Sequence, residues 1–267
     1  MPIPKLTPSW GAVVRAGLLA TALLLGGQVR VFGAIPPPFS GSITASFSQS
    51  SDSQKSDASL GLESDLFFQF SKKLNAELLA TLQRPTDSYR NFRFPRLLLS
   101  LRAIAYAEET GTLAALYSIS GLDIDEWSAH GAVVQHLVGA EAQWMPINRL
   151  SLQLRAGPTF YTNQYRTRAN GIVLPTWGFY QRVDATFQPG RWLFNLRLTA
   201  EERQAGVWKN DYSTLERIGY WITRNWNVSL LHRFTGQIVD DSTGLYRPVQ
   251  FFDSRESRFA VLTELDF

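Results

Sequence analysis

From Ser42 to the end of the chain, apolar and polar residues alternate with period two, in runs of about ten residues broken by polar stretches. The clearest run sets Leu150, Leu152, Leu154, Ala156 and Phe160 against Ser151, Gln153, Arg155, Gly157 and Thr159. A second pairs Leu74, Ala76, Leu78, Ala80 and Leu82 with Asn75, Glu77, Thr81 and Gln83. A third pairs Leu97, Leu99, Leu101 and Ala103 with Arg96, Ser100 and Arg102. Another sets Trp192, Phe194, Leu196, Leu198 and Ala200 against Asn195, Arg197, Thr199 and Glu201. Successive strand side chains point to opposite faces, so each run predicts a strand with one apolar and one polar face. About twelve such runs follow one another, with ten to fourteen as the bounds. The run Tyr212–Ile222 shows no clear register.

The connections predict how the strands are joined. Short turns are expected at 71–73, 108–111, 146–148, 188–190 and 223–225. Polar loops are expected at 51–58, 84–91, 121–131, 161–171, 203–211 and 236–256. Long and short connections are thus expected to alternate strictly, and an even strand count brings the last residue back to the side of the first. Aromatics follow the same order. Phe70, Tyr106, Trp144, Phe187, Trp192, Trp226 and Phe267 flank short turns, whereas Phe47, Phe92, Phe160, Trp177, Phe234 and Phe259 lie toward the long loops. Two aromatic belts suit two membrane interfaces, and a soluble β-sandwich has no reason for them.

The last ten residues place Phe259, Val261, Thr263, Leu265 and Phe267 opposite Arg258, Ala260, Leu262, Glu264 and Asp266. A free terminal strand would be an adhesive edge, so this one is expected to close a sheet. The ending resembles the C-terminal strand of bacterial outer-membrane β-barrels. That resemblance implies an all-β, transmembrane, antiparallel up-and-down barrel of about 12 strands, set in outer-membrane lipid and lipopolysaccharide. It also implies that the barrel-assembly machinery reads Phe259, Val261, Leu265 and Phe267. The short turns would be periplasmic and the long loops extracellular.

Residues 1–33 read as a secretory leader. Lys5 and Arg15 precede an apolar core, Gly17–Leu25, of about ten residues, too short to span a bilayer as a helix. Residues 34–41 are then a short periplasmic segment and 42–267 the barrel. The chain has 26 basic and 23 acidic residues. Lys5, Arg15 and Arg30 belong to the leader, which holds no acid, so the remainder is balanced and offers no basic surface for nucleic acid. With no cysteine there is neither a lipoprotein acylation site nor a disulfide framework.

The polar faces carry the candidate chemistry. Arg96, Arg102, Arg155, Arg182, Arg197, Arg233 and Arg258 lie there, with Glu77, Glu141, Asp184, Glu201 and Glu264 as counter-charges; Glu63 and Asp65 share that face. Two readings stand. In one the charges pair and fill the barrel. In the other they line a water-filled pore whose arginines favour anions. Size and arginine content are similar to the small channels for acidic oligosaccharides. The expected function is a passive channel or narrowly gated pore without catalysis. A closed scaffold that binds another envelope component is the alternative, and a lipid-modifying hydrolase is the second. Outer-membrane phospholipase A, a barrel of the same strand count, uses a Ser, His and Asn set on its outer wall. Here His136 and His232 lie in outward registers, but no serine stands beside either. Asp123, Asp125, Glu126 and His130 read as a solvated loop, as do Asp240 and Asp241. No cofactor motif and no metal-ligand cluster is present in the sequence, and oligomeric state is not specified by it.

Overall fold

A computed structural model describes residues 39–50, 58–85, 93–122, 133–167, 171, 173–205, 207–237, 250–253 and 256–267. The leader, His130, the acidic residues near it, Asp240 and Asp241 lie outside the described residues. The strands are β1 (Phe39–Ser50), β2 (Ala58–Ser71), β3 (Leu74–Pro85), β4 (Arg93–Glu108), β5 (Gly111–Leu122) and β6 (Val133–Ile147), followed by β7 (Leu150–Asn163), β8 (Trp177–Phe187), β9 (Trp192–Ala205), β10 (Val207–Trp221), β11 (Trp226–Gln237) and β12 (Ser257–Asp266). Each pairs antiparallel with its sequence neighbour, and β1 pairs with β12, so the sheet is a closed twelve-stranded barrel.

Closure runs from Ser42 opposite Asp266 to Ser50 opposite Arg258. Gly41 and Phe267 exchange backbone hydrogen bonds of 3.1 and 3.0 Å beyond the last residue of β12. The Phe267 ring packs 5.8 Å from Phe39, which packs 5.1 Å from Phe68. The terminal aromatic therefore seals the β1–β12 seam, and neither end strand keeps an open edge.

The alternation sorts as the sequence predicts. Leu97, Leu154 and Val261 are 46, 49 and 50 % exposed on the outside, while Ser100, Thr159 and Asn227 are fully buried on the inside. An apolar band this continuous is the surface of a membrane-spanning wall rather than of a water-soluble protein. No helix among the described residues is long and apolar enough to cross a membrane, and strands do the crossing.

Four details differ from the sequence reading. First, β1 begins at Phe39, three residues earlier than expected. Second, β8 begins at Trp177 rather than Ile172; the stretch before it forms an isolated bridge, Thr167 with Val173, and contains Pro175, which has no N–H for a ladder. Third, residues 203–211 do not form a long loop. β9 and β10 continue to Ala205 and Val207, which pair across the connection, so the long–short alternation is not strict. Polar residues on both faces of that hairpin hide its period, and Trp208 braces it edge-on against Trp177 at 4.8 Å. Fourth, Phe234 is 2 % exposed rather than lipid-facing. Tyr212 packs 5.8 Å from it, and Tyr212 accepts a 2.8 Å hydrogen bond from the Gln250 amide, so a returning segment covers this part of the wall.

The ladder between β6 and β7 is tight at one place. Gly139 and Gly157 face inward, and a Cβ on either would overlap the backbone carbonyl oxygen of Ala156 or Val138. Only glycine permits that approach, and the adjacent Pro158 supplies no ladder donor.

Candidate functional site: the charged lumen

The lumen is built from inward residues of every strand, and most of its charge is paired in clusters. The largest joins β3, β4, β6 and β7. Arg102 Nε donates to Glu141 at 3.0 Å, and its Nη2 donates to Glu77. Arg155 lies 2.6 Å from Glu141 and 3.7 Å from Glu77. All four side chains are about one-tenth exposed. β5, which lies between β4 and β6, presents the small Ala114 inward, and this lets Arg102 reach Glu141 over it. Two carboxylates shared by two guanidiniums neutralise each other at low hydration, where an unpaired charge would be costly. The pairing of Arg155 with Glu77 bridges from β7 to β3, so this cluster forms a shelf on one side of the lumen.

Other clusters line the rest of the wall. Asp184 accepts from Arg182 and, at 2.5 Å, from Arg197. Arg217 pairs with Glu264 and donates to Asn227 at 2.8 Å and Ser229 at 2.9 Å. Toward the end that carries the β1–β2 connection, Glu201 accepts from Tyr161 and from Gln135 at 2.9 Å, and Arg203 pairs with Asp211.

Opposite the shelf the wall is different. β1 presents Ser40, Ser42, Thr44, Ser46 and Ser48 inward, all short. Between this hydroxyl wall and the shelf lies a cavity of about 550 Å³ at the short-turn end. Its lining includes Ser40, Ser42, Asp65, Glu77, Arg102, Glu141, Gln153 and Asp266.

Three arginines stay outside the paired clusters. Arg233 and Arg258 stand directly opposite each other on β11 and β12. Arg197 and Arg96 also repel Arg233, and Glu63 is the carboxylate that acts on it. Arg96 donates to Ser120 at 3.4 Å. Among the described residues no carboxylate lies within 4.0 Å of Arg96, Arg233 or Arg258. Like charges face one another here with Glu63 as the moderating carboxylate, the arrangement expected where an anion binds from solution.

Every candidate lumen residue of the sequence reading has an inward position, and the structure sorts them into shelf, wall clusters and unpaired arginines. It adds Arg217, Arg203, Asp211 and Asp266 as charged partners or lining. Arg217 was missed because β10 has a mixed outward face, Tyr212, Thr214, Glu216 and Ile218, that obscures its register. The turn at 223–225 was the usable signal, since counting back from it fixes the parity. Phe259, Val261 and Leu265 lie on the outward face of β12, and Phe267 follows its last residue and packs on Phe39.

The outer-wall histidines are paired. His136 lies 3.0 Å from the Tyr117 hydroxyl and 3.3 Å from that of Thr162. His232 pairs with Glu216, with the Phe259 and Phe252 rings tilted against it at 4.8 and 5.9 Å. Among the described residues no group of three or more His, Cys, Asp or Glu side chains is arranged to hold a metal ion.

No protein-family model and no curated protein matches the sequence. Solved structures match the fold. The NanC porin aligns with a TM-score of 0.55 at 8 % identity, covering 84 % of this chain and 98 % of that one. An outer-membrane channel from Pseudomonas putida F1 aligns at 0.53 and 7 %, over 90 and 99 % of the two chains. The KdgM porin, in complex with disordered oligogalacturonate, aligns at 0.52 and 10 %, over 85 and 99 %. At these identities the likeness is one of architecture. The chain has the closed, twelve-stranded antiparallel fold of the bacterial outer-membrane porins.

Proposed function

We propose that this protein is an outer-membrane channel that passes small anionic solutes by diffusion. The observation that carries the reading is the set Arg96, Arg233 and Arg258, without an ion pair in a lumen whose other arginines, among the described residues, are matched by carboxylates. Uncompensated guanidiniums in a narrow aqueous passage attract anions and exclude cations. The neighbour solved with oligogalacturonate, an acidic sugar chain, supports the same class of solute. In this reading the leader 1–33 directs export, the barrel-assembly machinery reads Phe259, Val261, Leu265 and Phe267, and the short turns face the periplasm. Lipid and lipopolysaccharide contact the outer wall, and transport needs no catalytic step.

The test is the reversal potential of the purified protein in a planar bilayer under a salt gradient. Anion preference in the native protein, weakened or inverted by Arg233→Ala with Arg258→Ala, is the expected result. Cation preference in the native protein would defeat the reading. The shelf of Glu77, Arg102, Glu141 and Arg155 favours a second reading, a barrel closed by paired side chains. Absence of any conductance from folded protein would select it.

A further inference from the structure

Once the ion pairs are set aside, Glu63 and Glu201, with no guanidinium within 4.0 Å among the described residues, partly offset the arginines in the half toward the β1–β2 connection, and the other unpaired lumen charges separate along the barrel axis. Arg96, Arg233 and Arg258 lie in the half toward the β1–β2 connection. At the short-turn end, Asp65 and Asp266 stand on either side of Ser42, in one register row across β2, β1 and β12. Both line the 550 Å³ cavity, and neither has a guanidinium within 4.0 Å among the described residues. One oxygen of Asp65 is buried without a hydrogen bond. On β12 itself Arg258 precedes Asp266 by eight residues, ~27 Å of strand at ~3.4 Å per residue. That separation exceeds the Debye length of ~10 Å at 0.1 M salt, so each group sets the local potential at its own end. Lys72, Lys73, Arg149, Arg191 and Arg224 also lie at the short-turn end, but they are exposed on the turns, where water and salt screen them.

We infer that Asp65 and Asp266 form a negative exit opposite the arginine entrance, which makes the channel a rectifier that favours anion flow toward the short-turn end. This rests on the anion-channel reading above. A passage with fixed positive charge at one end and negative at the other fills with ions under one polarity. Anions then enter from the arginine end and cations from the carboxylate end. The opposite polarity empties it. Conduction also needs release as well as capture, and a carboxylate pair beyond the arginines weakens the hold on a departing anion.

The experiment is the single-channel current–voltage curve in alkaline buffer at low and high salt. Every variant carries Lys72→Cys, a unique thiol in a chain without cysteine, which is biotinylated so that streptavidin block marks the short-turn end. At ~0.1 M salt the current that carries anions toward that end should exceed its opposite about two-fold or more. It should become symmetric at ~1 M, where the Debye length is ~3 Å. Asp65→Asn with Asp266→Asn should abolish the asymmetry while anion preference persists, and Asp65→Glu with Asp266→Glu should retain it. A symmetric native curve at low salt, or asymmetry that survives the double Asn change, overturns the rectifier and leaves the anion channel standing. A silent but folded barrel overturns both.

Discussion

One carboxylate oxygen of Glu141 accepts a hydrogen bond from Arg102 at 3.0 Å and forms an ion pair with Arg155 at 2.6 Å. Glu141→Gln keeps the shape and removes the charge, which leaves two nearly dehydrated guanidiniums to share Glu77. The expected loss is on the order of 2 kcal/mol of stability, read as a lower urea midpoint followed by tryptophan fluorescence; an unchanged midpoint would show the shelf to be incidental. The outer-wall pair His232–Glu216 makes the converse case, because it sits among aromatics and lipid. Glu216→Leu alone strands the imidazole, whereas Glu216→Leu with His232→Leu suits the apolar surroundings. The double variant should therefore hold the heat-resistant folded band on a gel to a higher temperature than the single variant, and the reverse order would refute the role given to the pair.

At the scale of the element, the β6–β7 ladder and the β1–β12 seam are the places where one residue decides a strand. Gly157→Val pushes a branched side chain into the carbonyl of Val138. It should prevent closure, seen as loss of the heat-modifiable band, while Ala156→Val on the outward face of the same strand should not. Deleting Phe267 removes the ring packed on Phe39 and two backbone bonds to Gly41. It should lower the amount of barrel in the outer membrane with synthesis unchanged; normal membrane levels would count against the seal and against recognition of the last strand. Most elements were legible in sequence because lipid on one side and polar lumen on the other impose opposite demands on successive residues. β10 was not, since its outward Tyr212 and Thr214 are covered by a returning segment and Glu216 by a histidine, so neither face meets lipid throughout. The β9–β10 hairpin was misread as a loop for a related reason: Arg203, Gln204, Lys209 and Asn210 are polar whichever way they point.

For the whole molecule, the decisive property is how charge is distributed rather than how much there is. A lumen filled by paired side chains would be electrically quiet. Here one shelf spans β3 to β7, short hydroxyl residues of β1 face it across a cavity of about 550 Å³, and the unpaired arginines, partly offset by Glu63 and Glu201, lie at the end opposite Asp65 and Asp266. Anion preference and current asymmetry should both fade as ionic strength rises, because both depend on unscreened fixed charge. Stability should not follow the same course, since the shelf is shielded from salt. Salt-independent selectivity would point instead to a steric filter.

The sequence by itself determined the strand periodicity, the even count, the closing terminal aromatic and the inward position of most charged residues outside β10 and the β9–β10 hairpin. These follow from the two-residue repeat of an extended chain placed between lipid and water, a local property that any stretch of ten residues displays. Which inward charges neutralise one another was decided only by tertiary structure. Glu77 meets Arg155 from four strands away, Arg217 finds Glu264 two strands on, and Arg233 faces Arg258 instead of an acid. Such partners are set by the curvature and stagger of the closed sheet, which no local pattern encodes.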